Sequence, residues 1–206
     1  MMDDIIISMP ENSESIKMPD PYLLSYYRNI ENRVLWLDTA VDDSWLHFMR
    51  QILEWNRDDL GKPVNERKPI KLCVYSYGGD LDVNNAFIDV VRQSKTPVWG
   101  INMGQANSAG CFIYLACHRR LAMPNSTFLI HQGSGDNFSG TFTQMVSYME
   151  EYQRKIANLV EYLMETTKIP EDVLFTNITS EWFLDANEAL ELGVCDEIVS
   201  DLDVIL

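Results

Sequence analysis

One central segment carries the pattern from which the architecture follows, and it reads Val98-Trp99-Gly100-Ile101-Asn102-Met103-Gly104-Gln105-Ala106-Asn107-Ser108-Ala109-Gly110, continuing as Cys111-Phe112-Ile113-Tyr114-Leu115-Ala116. The first part is rich in strand-forming residues and breaks at small ones, whereas the second part has the apolar character of a buried helix. The segment therefore predicts a strand that turns sharply into a helix. Such a turn holds the Ser108 side chain out of the sheet and directs the N–H groups of the helix N-terminus toward it.

Ser108 is accordingly the first candidate for a nucleophile. Its pentapeptide, Ala-x-Ser-x-Gly, differs from Gly-x-Ser-x-Gly at the first glycine. A serine at a strand-to-helix turn can also serve only as an N-cap. The pentapeptide leaves both interpretations open, so a base and an oxyanion site must be sought elsewhere in the chain.

Strand and helix patterns alternate on both sides of this segment. Short apolar runs predict strands at 34–37, 70–75, 97–103, 121–123, 128–130 and 197–199, and amphipathic runs predict helices after Asp42 and over 83–91. Alternation at this spacing predicts parallel strands whose crossover helices cover the sheet. The expected fold class is α/β.

A long helix is predicted at about 141–167, followed by Pro170. Apolar residues recur along it at steps of three and four, and a helix of about 25 residues is about 38 Å long. We expect it to project from a small domain as a handle whose apolar face needs a partner. Residues 1–28 contain Pro10, Pro19 and Pro21 and are expected to form an irregular amino-terminal arm, with the domain at 29–206.

Composition limits the function classes. The chain has 206 residues, 46% of them hydrophobic, and 31 Asp and Glu against 16 Lys and Arg give a net charge of −15. This charge opposes binding to nucleic acid or anionic membranes. The first residues are acidic, unlike those of a signal peptide, and no apolar run is long enough for a membrane span. The four cysteines include no Cys-x-x-Cys pair. Together these features predict a cytoplasmic protein with reduced thiols. No metal or organic cofactor is expected.

Among three histidines, His131 is the candidate base. His47 lies within an amphipathic run and His118 beside two arginines, so both are expected to be solvated or packed. His131 ends a predicted strand and precedes a glycine-rich loop, the kind of edge at which α/β proteins place chemistry. Imidazole can take the serine proton and return it to a leaving amine. A structural histidine is the alternative.

The turn Tyr77-Gly78-Gly79-Asp80 lies between a strand and a helix. Its glycines can bring a backbone N–H close to a bound carbonyl, although a plain turn is the commoner use of such residues. One N–H here, at Gly79, and one at Ala109 would form an oxyanion hole.

Four separated segments resemble the ClpP family, the proteolytic subunit of Clp proteases. They are Ser76-Tyr77-Gly78-Gly79-Asp80, the run 104–110, Met123-Pro124-Asn125-Ser126 through Ile130-His131-Gln132, and Ala186-x-Glu188-Ala189 through Gly193. They occur in the family's order and at nearly its spacing, and the similarity covers about residues 32–199.

This resemblance implies a ClpP/crotonase-like fold and a serine endopeptidase in which Ser108 is the nucleophile, His131 the general base, and Gly79 and Ala109 the oxyanion donors. It also implies a homo-oligomer of two stacked heptameric rings, a tetradecamer that meets through the handle helix. A ring-shaped Clp ATPase that delivers unfolded polypeptide is the implied partner.

The sequence departs from the family at three positions. Glu181 stands where the triad Asp is expected and is the candidate orienting acid, with a solvated surface glutamate as the alternative. Ser180 replaces an Arg of the ring-to-ring salt bridge, and Gly133 replaces the Pro after His-Gln. Three other functions stay open: a non-catalytic ring subunit, a phage-type maturation protease without an ATPase, and, least favoured, a crotonase-type acyl-CoA enzyme.

Overall fold

The structure is a computed structural model, and it describes residues 20–133 and 139–205. Two compact units are separated between Asn32 and Arg33. The elements in chain order are α1 (Pro21–Glu31), β1 (Val34–Leu37), α2 (Leu46–Asp58), β2 (Ile70–Ser76), α3 (Leu81–Gln93), β3 (Val98–Asn107), α4 (Ala109–Leu115), β4 (Arg119–Ala122), β5 (Thr127–Ile130), α5 (Phe142–Thr166), α6 (Glu171–Asn177), β6 (Trp182–Asp185), α7 (Ala186–Glu191) and β7 (Glu197–Ile198).

The second unit, Arg33–Leu206, is built on a mostly parallel sheet in the order β1-β2-β3-β4-β7, with β5 paired to β3 and β6 paired to β5. Every pairing is parallel except that of β5 with β6. The predicted α/β class with crossover helices is confirmed. The antiparallel strand β6 departs from the all-parallel expectation, since the short run around Phe183 gave no pairing signal of its own.

Strand β3 is longer than predicted because it changes partners along its length. Residues 99–102 pair with β4, and residues 105–107 pair with β5. The fully buried Asn102 lies where the partner strand changes from β4 to β5. Its Nδ2 donates to the Thr127 carbonyl at 2.9 Å and its Oδ1 accepts from the Gly104 N–H at 3.0 Å. The second half of β3 is thereby directed toward β5, and it ends next to Ser108.

The core lies on both sides of this sheet, and its largest fully buried side chains include Trp45, Phe87, Phe112, Tyr114 and Phe128. All four cysteines are free and buried. Burial raises the pKa of the Cys73 thiol to about 11 and that of Cys111 to about 12, because the thiolate is poorly solvated there. These thiols are the buried, reduced cysteines predicted from the sequence.

The amino-terminal arm is described only from residue 20, so most of the predicted 1–28 segment lies outside the described residues. The part within them is not irregular, because Pro21–Glu31 forms helix α1. Asp20 caps this helix by accepting the Tyr22 N–H at 2.9 Å, and Pro21 occupies the first turn. The proline therefore starts a helix there, where its missing N–H costs nothing.

The predicted long helix is α5, which covers 25 residues between Phe142 and Thr166. Thr141 and Gln144 form a capping box at its start. Only Leu159, Tyr162 and Leu163 are buried, all near its end, whereas Phe142, Met145, Val146 and Met149 are exposed near its beginning. No helix within residues 20–133 and 139–205 is long and apolar enough to cross a membrane.

A buried ion pair locks the start of β1 to the end of α2. The Asp59 carboxylate is 1% exposed, accepts from Arg33 Nη2 at 3.0 Å, and also contacts Lys62 Nζ at 2.8 Å and Thr96 Oγ1 at 3.0 Å. The Arg33 hydrogen bond holds the pKa of Asp59 well below its usual range. Because the pKa of Asp59 is lower in the folded than in the unfolded chain, ionised Asp59 stabilises the folded state at pH values above about 3.9, the pKa of an aspartate in the unfolded chain. This stabilisation is lost as the pH falls below that value toward the folded-state pKa.

We expect Asp59→Asn to lower the free energy of unfolding by about 3 kcal/mol at pH 7, because it leaves Arg33, whose side chain is only 12% exposed, without its counter-charge. The difference from the wild type is expected to shrink below about pH 4, where the unfolded wild type also takes up a proton. Urea unfolding followed by tryptophan fluorescence measures both effects. The control is Glu54→Gln on the same helix, which breaks an exposed pair with Arg57 and is expected to cost less than about 0.5 kcal/mol. Equal losses in the two variants would contradict this account.

Candidate active site

Ser108 occupies the turn between β3 and α4 in a strained conformation. Its φ is 52° and its ψ is −125°, a region that residues with a Cβ rarely adopt. Its N–H donates to the Leu129 carbonyl at 2.8 Å, which extends the β3–β5 pairing by one residue. Although Ser108 stands at the N-cap position of α4, its side chain makes no cap hydrogen bond. The hydroxyl is therefore left to face the site, as at a nucleophile elbow.

His131 reaches Ser108 through strand register. Asn107 of β3 lies beside Leu129 of β5 in a parallel pair, so the carboxyl ends of both strands meet at one edge of the sheet. Ser108 follows Asn107 directly, and His131 comes two residues after Leu129. His131 Nε2 lies 2.7 Å from Ser108 Oγ across a separation of 23 residues along the chain.

Glu181 is brought in by the antiparallel strand. Ile130 of β5 is opposite Trp182 of β6, and continuing that register by one residue places His131 opposite Glu181. Side chains directly opposite each other in an antiparallel pair are close neighbours. Glu181 Oε1 lies 2.9 Å from His131 Nδ1, and the glutamate side chain is 62% exposed against 19% for the histidine.

These contacts define which atom of the imidazole is available. An ionised carboxylate can only accept a hydrogen bond, so Glu181 selects the tautomer that carries its proton on Nδ1. The lone pair on Nε2 then faces the Ser108 hydroxyl, which can donate to it. The arrangement can therefore remove the hydroxyl proton as the oxygen attacks a carbonyl.

Two backbone N–H groups close to Ser108 are candidate oxyanion donors: that of Ala109, which follows Ser108 directly, and that of Gly79, which follows Gly78. The bridge between Val41 and Gly79 uses the Asp80 N–H, which donates to the Val41 carbonyl, and the Gly78 carbonyl, which accepts from the Val41 N–H. The Gly79 N–H is thus directed away from Val41. Ala109 opens α4, where a first-turn N–H has no partner within the helix. Gly79 and Ala109 are the two donors that the sequence placed near a bound carbonyl oxygen.

Gly78 brings the oxyanion loop, residues 77–80, into direct contact with Ser108. A Cβ on Gly78 would lie 2.7 Å from Ser108 Cβ and 2.9 Å from the Asn107 carbonyl oxygen, closer than real Cβ atoms approach. Its φ of +102° also disfavours any other residue. The sequence indicated a donor in this loop but not this packing role, since the Gly-Gly pair was its one sign of a close approach.

A cleft of about 240 Å³ opens beside these groups. Ser108, His131, Gly78 and Gly79 line it, and Ala40, Tyr77, Leu81 and Gly133 complete its walls. Among the described residues that line it, small side chains predominate, Tyr77 is the largest, and none is Asp, Glu, Lys or Arg.

Other predicted residues take structural positions. His118 Nδ1 accepts the Val98 N–H at 3.0 Å and His47 is exposed on α2, so neither joins the cleft. The Ser180 hydroxyl donates to the Asn177 carbonyl at 2.9 Å, within its own turn. Gly133 has a φ of +83°, which the proline ring cannot adopt, so the chain leaves His131 along a path that excludes the family's proline.

No group of three or more His, Cys, Asp or Glu side chains within residues 20–133 and 139–205 could hold a metal ion.

Val41, whose backbone holds the Gly79 peptide in place, was not found from the sequence because a single bridge residue leaves no periodic pattern.

We expect Gly78→Ala to slow reaction of Ser108 with a fluorophosphonate by about a hundredfold, because the new methyl group must push the oxyanion loop away from the serine. Gly61→Ala is the matched control, since Gly61 also has a positive φ, +82°, but has no atom within 4 Å of an added Cβ. Gly61→Ala is expected to keep the wild-type labelling rate, although it places a residue with a Cβ at a positive φ just as Gly78→Ala does. Second-order rate constants, measured with the melting temperature, distinguish the two. Equal labelling of both variants would refute the packing role of Gly78.

The fold and the arrangement of a serine, a histidine, a carboxylate and two N–H donors at one sheet edge define an α/β protein with the geometry used by serine hydrolases. Comparison with known proteins identifies the family. A family model described as Clp protease matches residues 23–201. The ATP-dependent Clp protease proteolytic subunit 2 of Treponema pallidum (strain Nichols) is 34% identical over 134 residues, which cover 64% of this chain and 67% of that protein.

Two further matches extend over more of the chain. The ATP-dependent Clp protease proteolytic subunit of Deinococcus radiodurans is 27% identical over 177 residues, covering 84% of this chain and 83% of that protein. The structure of a ClpP1 mutant from Listeria monocytogenes superposes with a TM-score of 0.74 at 21% identity, covering 88% of this chain and 99% of the other, and shows the same fold. The chain belongs to the Clp protease family.

Proposed function

We propose that this protein is an active serine endopeptidase that hydrolyses peptide bonds of unfolded proteins inside a ring-shaped oligomer. The observation that carries the proposal is the pair of contacts made by His131, 2.7 Å to Ser108 Oγ and 2.9 Å to Glu181 Oε1. Family membership supports a proteolytic subunit. The two contacts support a chain that retains the chemistry, rather than a non-catalytic ring subunit.

In the proposed mechanism Ser108 Oγ attacks the substrate carbonyl carbon while His131 Nε2 takes the hydroxyl proton. The carbonyl oxygen becomes an oxyanion that the Gly79 and Ala109 N–H groups stabilise. His131 then gives the proton to the leaving amine, and the C–N bond breaks to leave an acyl-serine. Water, activated by the same imidazole, attacks this ester and releases the second product with regeneration of Ser108. Glu181 stabilises the imidazolium formed in each half-reaction.

The proposed assembly is two stacked heptameric rings that meet through α5. The exposed Phe142, Met145, Val146 and Met149 on the projecting half of this helix supply an apolar contact surface. The names of the bacterial relatives include ATP dependence. A ring-shaped Clp ATPase is therefore the proposed partner, and four buried free thiols favour work in the reducing cytoplasm. Enclosure of the sites inside the rings would select substrates by access. The net charge of −15 opposes binding of nucleic acid or of anionic membranes.

The test compares wild-type protein with Ser108→Ala after the native mass of each has been measured. Wild-type rings are expected to react with a fluorescent fluorophosphonate and to degrade unfolded β-casein, and the alanine variant is expected to do neither. A wild-type sample that assembles yet fails to react would overturn the peptidase proposal and leave the non-catalytic ring subunit. Cleavage of one defined protein only, with β-casein left intact, would favour a maturation protease.

A further inference from the structure

Helix α5 contacts residues close in sequence to two of the proposed reactive groups, Gly79 and His131, and these contacts lie between its exposed first half and its buried end. Lys155 forms an ion pair with Asp82, at the start of α3, and Tyr152 donates from its hydroxyl to the Gln132 carbonyl at 3.4 Å. We propose that Lys155 and Tyr152 are positioning residues that hold the oxyanion loop and the His131 segment in their reactive places. The inference rests on the proposed function and assigns it two further residues.

Lys155 acts on the oxyanion loop through the first turn of α3. Asp82 is the second residue of α3, and its N–H donates to Asp80 Oδ1, the N-cap of that helix, at 2.8 Å. Asp80 directly follows Gly79, whose N–H is one proposed oxyanion donor. The Lys155 side chain is 24% exposed, so its ammonium group is partly withdrawn from water, whereas Asp82 is 74% exposed. Movement of α5 relative to α3 is therefore transmitted to the peptide that carries a donor.

Tyr152 acts on the other half of the site. Gln132 follows His131 directly, and its N–H donates to the Ile178 carbonyl at 2.8 Å while its carbonyl accepts from Tyr152. The tyrosine hydroxyl also lies 3.5 Å from the position of an added Cβ on Gly133. The peptide after the proposed base is thus held from both sides, by Ile178, which follows α6, and by α5.

A groove and a second ion pair lie further along the contact between α3 and α5. A groove of about 250 Å³ separates α3 from α5 beyond the Lys155–Asp82 pair, with Ile88 on one side and Leu159 on the other. A second ion pair, Arg92 with Glu165 at 3.6 Å, joins the same two helices at the far end of the groove. Of these two pairs, the one at the near end contacts the first turn of α3, which follows Gly79 and Asp80, whereas the far pair lies at the other end of the helix. The far pair therefore provides a matched control.

The experiment measures kcat and KM for a short fluorogenic peptide amide, on samples with wild-type native mass. Lys155→Met is expected to lower kcat about tenfold with KM within about twofold, because a displaced donor weakens the transition state more than substrate binding. Lys155→Arg keeps the charge and is expected to restore most of the rate. Tyr152→Phe is expected to lower kcat about threefold, since it removes one hydrogen bond from the histidine segment.

A thermodynamic cycle separates positioning from a general loss of stability. Asp82→Asn breaks the same ion pair from α3 and is expected to lower kcat by the same factor as Lys155→Met, and the double variant is expected to fall no further. Glu165→Gln breaks the far pair and is expected to keep the wild-type kcat. A purely structural contact would instead shift the melting temperature and leave the kcat of assembled protein unchanged.

The inference is overturned if kcat for Lys155→Met equals that for Glu165→Gln. Should Lys155→Met fail to assemble, an unchanged kcat in Asp82→Asn overturns it equally, because that variant leaves α5 intact. Failure of the proposed function is distinguishable from failure of this inference, because in the first case the wild-type protein itself would not react with the fluorophosphonate.

Discussion

Ser108→Ala is expected to abolish fluorophosphonate labelling and to lower peptide hydrolysis on the order of a millionfold, the size of effect that follows removal of a serine nucleophile. The reason is geometric as well as chemical. The hydroxyl is the atom that His131 Nε2 approaches to 2.7 Å, and alanine offers nothing in its place. The methyl group keeps the Cβ and the backbone preferences of the original residue, so assembly and melting temperature are expected to persist.

Ser180→Ala is the matched control for this loss. Ser180 is an exposed serine immediately before Glu181, and its hydroxyl bonds only to the Asn177 carbonyl among the contacts of its side chain that the structure gives. The variant is expected to label and to hydrolyse peptide at the wild-type rate. Label retained in Ser108→Ala would show that another residue reacts, and the proposed mechanism would fail.

Glu181→Gln is expected to lower kcat about a thousandfold while leaving the rings assembled. An amide cannot stabilise the imidazolium, and it can donate to Nδ1, which selects the tautomer with its proton facing Ser108. Water reaches this glutamate, which is 62% exposed, so we expect a smaller effect than the roughly 10⁴-fold loss known for a buried triad acid. Steady-state hydrolysis of a peptide amide, with native mass as the check on assembly, measures it.

Two companion variants sharpen this result. Glu181→Asp retains the charge but withdraws the carboxylate by one methylene from its 2.9 Å contact, and we expect an intermediate loss of about tenfold. Glu191→Gln, at an exposed glutamate on the neighbouring α7, is expected to change nothing. Turnover of Glu181→Gln at the wild-type level would show that another group, or none, orients His131.

Local patterns in the chain were sufficient for a large part of this account. The α/β class followed from alternating strand and helix periodicities, and the long helix followed from a repeat of three and four residues that the structure places at Phe142–Thr166. Ser108 and His131 stood out because each lies where a strand ends, a position that a short window of sequence reveals. The Gly-Gly turn marked the oxyanion loop for the same reason.

Local patterns failed where a neighbour in space decided the outcome. The arm was expected to be irregular because prolines usually break helices. Pro21 instead begins α1, at a position where the N–H that proline lacks would have no partner within the helix. Strand β3 runs past its predicted end because Asn102 and β5 extend it. The packing of Gly78 against Ser108 and the contact of Tyr152 with Gln132 join residues far apart in the chain, and no periodicity records them.

Amino-acid order alone was enough to predict the fold class and to select Ser108 and His131 as candidates, because residue type and distance from a strand end are properties of short segments. Glu181 became a candidate only through the resemblance to the family, where it stands at the position of the triad Asp. Only the folded chain set the separations among them. Parallel pairing of β3 with β5 and antiparallel pairing of β5 with β6 place the three side chains in line, and those registers depend on contacts between segments 22 and 50 or more residues apart. Reactivity depends on separations of about 3 Å, which long-range packing of the sheet determines.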